Sequence, residues 1–125
     1  MSNERRLFAL RGAVQAGTNE SEPIISATEE LVRALLQRND LEPGQFVSCL
    51  FTATNDLDAD FPAVAARRLG FEGVPLLCAR EIDVPGSMPR VIRIMAHYYA
   101  DAEHTPSHVY LGETHNLRAD LQHAQ

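Results

Sequence analysis

The chain has 125 residues, 45% hydrophobic and 22% charged, the make-up of one globular domain able to close a core without disulfides or metal. Its net charge of -6 and pI near 5.3 exclude a general nucleic-acid or anionic-membrane binder, which needs a basic face. All 11 basic residues are arginines, so Schiff-base and lysine-nucleophile chemistry are excluded as well.

In chain order, residues 7–14 (LFALRGAV) alternate as a strand, with Leu7, Ala9, Arg11 and Ala13 on one face and Phe8, Leu10, Gly12 and Val14 on the other. Gly17, Thr18 and Asn19 form a turn. Residues 19–39 then place Ile24, Ile25, Thr28, Leu31, Val32, Leu35 and Leu36 at helical spacing. Asn19 and Glu22 have the form of a capping box, and Pro23 is tolerated in a first turn. After the breakers of LEPG, residues 46–54 read as a second strand. A short helix is predicted over 61–69, with Asp60 as its cap and Gly70 just past its end. Strands follow at 76–79, 91–99 and 108–111, with a Pro/Gly loop at 80–89 and a polar tail. This β-α-β-α-β-β-β order predicts a single α/β (α+β) domain over residues 1–125, with 1–6 and 122–125 flexible. Its architecture is one mixed five-stranded sheet with a long and a short helix on one side. A sheet covered on one face only predicts a homo-oligomer.

The chemistry-bearing residues are few. Arg11 and Arg93 lie inside apolar strands, where a guanidinium is costly to desolvate unless an anion or a set of acceptors meets it. Together they point to a pocket for a small acidic molecule. Glu81 leaves the sheet three residues after Cys78 and is separated from Arg93 by the Pro/Gly loop, so opposite charges are aimed at one cleft. An ion pair that merely fixes the loop is the competing reading. Arg67 and Arg68 read as solvated charge on the short helix. The five histidines have no ligand spacing, so no metal is expected, and Cys49 and Cys78 read as free thiols of a cytoplasmic protein without signal peptide or membrane span. No nucleophile motif and no phosphate loop is present. A reaction needing charge stabilisation but no nucleophile, metal or cofactor fits what remains.

Five segments in this order, LRGA (10–13), SCLFTATNDLDADFPAVAAR (48–67), VPLLCAREIDVPGSMPRVIRIM (74–95), HVYL (108–111) and LRADL (117–121), resemble the small monofunctional chorismate mutases of the AroH class. The resemblance implies a homotrimeric pseudo-α/β-barrel with active sites between subunits. There chorismate rearranges to prephenate by a pericyclic [3,3] shift on the route to phenylalanine and tyrosine, without cofactor. It implies that Arg93 donates to the ether oxygen and a carboxylate, that Arg11 and Tyr110 hold the side-chain carboxylate, and that Glu81, with Cys78 beside it, accepts from the ring hydroxyl. Phe61, Ala63 and Arg67 of the adjacent subunit wall the cleft, and Leu117 and Arg118 close over the ligand. Val64 stands where the family can carry a lysine, and Leu77 where it can carry a hydroxyl residue. A trimeric enamine/imine deaminase of similar architecture, a non-catalytic carboxylate-binding module and a purely structural trimer are the competing readings.

Overall fold

The computed structural model describes residues 4–117. Alternation and β-branched or aromatic content build five strands: β1 (Arg5–Gln15), β2 (Phe46–Ala53), β3 (Leu76–Arg80), β4 (Val91–Asp101) and β5 (Val109–Tyr110). They form one mixed sheet in the order β3-β2-β4-β1-β5. The central strand β4 is antiparallel to both β1 and β2, while β3 and β5 pair in parallel at the two edges.

Period 2 divides this sheet into two unlike faces. Leu10, Val14, Phe51, Ile92, Ile94 and Tyr98 point to the face that meets helices α1 (Ser21–Asn39) and α2 (Ala63–Arg68) and are buried with Ile24, Leu31, Leu35 and Ala66 in one core. Cys49 is fully buried there, and burial pushes its thiol up to about 12. The Tyr98 hydroxyl, likewise raised to about 12 by burial, meets Nε2 of His104 at 2.7 Å. Neither α1 nor α2 covers the other face, where among the described residues Met88 and Leu117 pack against Ala13, Val91 and Tyr110. Gly12 shows why no larger residue fits its position in β1: an added Cβ would lie 2.9 Å from the Val109 carbonyl oxygen and 3.0 Å from Cδ1 of Leu31.

Helix ends depart from the sequence reading. The Asn19–Glu22 box does not form; α1 starts at Ser21 after an extended Glu20 that makes no side-chain cap. Asn19 is engaged elsewhere, its Oδ1 accepting from the backbone N–H groups of Asp58 and Ala59 at 3.0 and 3.1 Å. A side chain that closes another turn cannot also cap a helix. The short helix is Ala63–Arg68 rather than 61–69, because the preceding residues make tighter bonds, Val64 N–H to Phe61 and Ala65 N–H to Pro62. Asp60 still stabilises its approach, accepting from the Phe61 N–H at 2.7 Å and the Ser21 hydroxyl at 2.5 Å. The Ser21 bond, then the Phe61 bond, hold its exposed carboxyl below the usual carboxylate value. Gly70, at φ 99°, closes α2 as expected, with Phe71 N–H reaching the Ala66 carbonyl.

Candidate active site

Strand register aligns the polar residues of the uncovered face into rows. One row crosses all five strands: Ala79 beside Thr52, Thr52 beside Arg93, Arg93 beside Ala13, Ala13 beside Tyr110. The next runs Leu77, Leu50, Met95, Arg11. Arg93 and Arg11 therefore stand on neighbouring strands, one row apart, on the same face. Small Ala13 and Ala79 leave space around the charged groups.

Glu81 joins this face one residue beyond β3, its N–H bonded to the Ala53 carbonyl at 3.0 Å. Its Oε2 lies 3.4 Å from Nε of Arg93 and accepts a hydrogen bond from the Thr52 hydroxyl. The pair is only partly screened from water, with 37% of the Arg93 and 23% of the Glu81 side chain exposed. Nε of Arg93 is buried and makes no hydrogen bond among the described residues. A donor buried without a hydrogen bond is costly, and the nearest acceptor here is the Glu81 carboxylate at 3.4 Å.

Arg11, Leu50, Thr52, Glu81, Arg93 and Tyr110 line a cavity of about 300 Å³. Glu81 and Arg93 also line an adjoining one of about 620 Å³, bounded by Val84, Met88, Asn116 and Leu117. Both volumes suit a small molecule. The Arg11 side chain makes no hydrogen bond or ion pair among the described residues, while its backbone N–H donates to Nδ1 of His108 at 3.0 Å. Leu117 packs with Met88 against Ala13, Val91 and Tyr110, closing one end. The loop that separates Glu81 from β4 is pinned at Arg90, which adopts φ 53°, donates its N–H to the Asp56 carboxylate and bonds Ala16 in both directions.

The remaining expected residues fall elsewhere on the chain. Cys78 is not beside Glu81 but one face away: it pairs with buried Phe51, packs on the helix-side core, and lines a separate cleft of about 370 Å³ with Asp58, Phe61 and Arg80. Odd and even positions of β3 point to opposite faces, which three residues of spacing between Cys78 and Glu81 conceals. Phe61 is 67% exposed at that cleft, and Arg67 is exposed on α2. Ala63 is turned into the chain's own core at 2% exposure. Arg118 lies outside the described residues. Thr52 is a lining residue that the sequence does not announce, because a β-branched residue in a strand signals nothing until the register is known. Among the described residues no group of His, Cys, Asp or Glu is arranged to hold a metal ion.

A family model described as chorismate mutase type I matches residues 7–121. Chorismate mutase AroH of Thermus thermophilus is 44% identical over 118 residues, spanning 93% of this chain and 97% of that protein. Chorismate mutase AroH of Bacillus subtilis (strain 168) is 37% identical over 114 residues, 90% of each. The solved structure of a chorismate mutase from Clostridium thermocellum superposes with a TM-score of 0.83 at 39% identity, covering 87% of this chain and 98% of that one. The chain belongs to the type I chorismate mutase family.

Proposed function

We propose that the chain, acting as a single domain, converts chorismate to prephenate by electrostatic stabilisation of an intramolecular [3,3] rearrangement, as an isomerase of aromatic amino acid biosynthesis. Arg93, ion-paired with Glu81 through an Nε that makes no hydrogen bond among the described residues, and lining one cavity with Glu81 and Arg11, carries this reading. In the rearrangement the C–O bond breaks ahead of C–C bond formation, so negative charge gathers on the ether oxygen. A fixed guanidinium donor there stabilises the transition state more than the ground state. Arg11, beside Tyr110 in the same cavity, meets the side-chain carboxylate and holds the reacting chain folded over the ring. The Glu81 carboxylate accepts from the ring hydroxyl.

We further propose that three chains associate through the uncovered sheet face, where Leu7, Leu50, Leu77 and Tyr99 are 53%, 39%, 60% and 46% exposed. Phe61, Cys78 and Arg67, remote from Arg93 within one chain, then belong to the half of each cleft supplied by the neighbour, and Leu117 and Arg118 cover the ligand. Free thiols at Cys49 and Cys78 and the lack, among the described residues, of a helix long and apolar enough to cross a membrane support a cytoplasmic location.

The test is to mix the purified protein with chorismate and follow its loss and the appearance of prephenate. Turnover without added metal or cofactor, unchanged by a chelator, is the expected result. No turnover, or a chelator-sensitive rate, sinks the reading.

A further inference from the structure

We propose that Thr52 is a positioning residue that keeps Glu81 from closing onto Arg93, an inference that rests on the chorismate mutase reading of this site. Oppositely charged Glu81 and Arg93 face one another at 3.4 Å, yet Nε of Arg93 makes no hydrogen bond to the carboxylate. Two such groups in a partly buried site gain a short charge-assisted bond by moving together. What opposes this is on the adjacent strand: the Thr52 hydroxyl donates to Oε2, the same oxygen that lies nearest Arg93.

Thr52 is suited to hold that oxygen. It sits in β2 in direct register with Arg93, between β3 and β4 in the sheet, so its Cα is fixed on both sides. Its β-branched side chain has few χ1 states, which aims the hydroxyl with little entropy to lose. With Oε2 held by Thr52, the Arg93 Nε stays in an ion pair with the carboxylate without closing to a hydrogen bond. Both charges thus stay available to substrate at a spacing set by a neutral strand residue.

Steady-state chorismate turnover and thermal midpoints of the wild type, Thr52→Val, Thr52→Ser, Glu81→Gln and Thr52→Val/Glu81→Gln test this. Valine keeps the shape and removes the donor; serine keeps the donor. The expected loss in Thr52→Val is about 10- to 100-fold in kcat/KM, the size of a lost charge-assisted hydrogen bond, falling mainly on kcat with the midpoint preserved. Thr52→Ser retains most of the activity. In the Glu81→Gln background the valine adds at most about twofold, since Thr52 acts through Glu81. Full activity in Thr52→Val, an equal further loss in the Glu81→Gln background, a loss shared by Thr52→Ser, or a loss that tracks a lowered midpoint each overturns the role. A wild type without turnover removes the functional reading and the Thr52 role together. A wild type that turns over beside an unimpaired Thr52→Val removes the Thr52 role alone.

Discussion

A guanidinium reaches its target differently from an ammonium, and Arg93 is where that difference is tested. Its Nε is the buried donor, and lysine has no equivalent atom at that depth. Arg93→Ala is expected to lower kcat by about 10²–10³ or more, the effect of removing a preorganised donor to a developing oxyanion. Arg93→Lys is expected to be severely impaired as well, because a point charge does not reproduce the planar fork; steady-state kinetics with near-wild-type kcat in the lysine variant contradicts the assignment. Glu81→Gln retains shape and removes charge, so kcat/KM falls while the thermal midpoint holds. A midpoint that collapses instead assigns the pair to structure. At this scale the legible residues were those that break a pattern: Arg11 and Arg93 stand out because charge is unexpected in an apolar strand. Thr52 conforms to its strand and gives no such signal, and Cys78, close to Glu81 in sequence, lies on the opposite face within one chain because alternation separates them.

Strands and helices were read well where periodicity is long and poorly where side chains serve a distant turn. The strand at 46–53 and the buried stripe of α1 follow directly from spacing. Asn19 does not, since its partners Asp58 and Ala59 lie some forty residues away and no local rule announces them. The last strand shrank from 108–111 to Val109–Tyr110 for a related reason: at His108 the imidazole, not a strand carbonyl, receives the Arg11 N–H. Gly12 joins these elements. It brings β1 against Val109 of β5 and Leu31 of α1, and a methyl there collides with a backbone oxygen that cannot swing aside. Gly12→Ala is expected to destabilise the chain by about 1–3 kcal/mol, as overpacking a dense site does, visible as a lower denaturant midpoint at unchanged slope. Because β5 carries Tyr110 and β1 carries Arg11, KM for chorismate should rise in the same variant. An unaltered midpoint would mean that the sheet edge yields more freely than its contacts imply.

The molecule has one face packed against helices and one that presents exposed Leu7, Leu50, Leu77 and Tyr99 and carries a charged cavity lined in part by Leu50. The half-covered sheet was foreseeable from the number of helices, and the family follows from motifs spread over most of the chain. The resemblance already implies that Phe61 and Arg67 serve a neighbouring cleft, but it groups Cys78 with Glu81: Arg93, Glu81, Arg11 and Tyr110 converge, whereas Phe61, Cys78 and Arg67 look onto another cleft or into solvent. A catalytic centre completed by a neighbouring copy reconciles the two groups, and mixing two defective chains tests it. Arg93→Ala removes the donor from one side of the cleft, and Arg67→Glu reverses an exposed charge on the other. Each variant alone should be nearly inactive, while unfolding the two together and refolding them in equal amounts should restore about a quarter of wild-type turnover if copies share sites, since random assembly leaves that share of interfaces intact on both sides. A refolded mixture no more active than the two separate preparations contradicts a shared site.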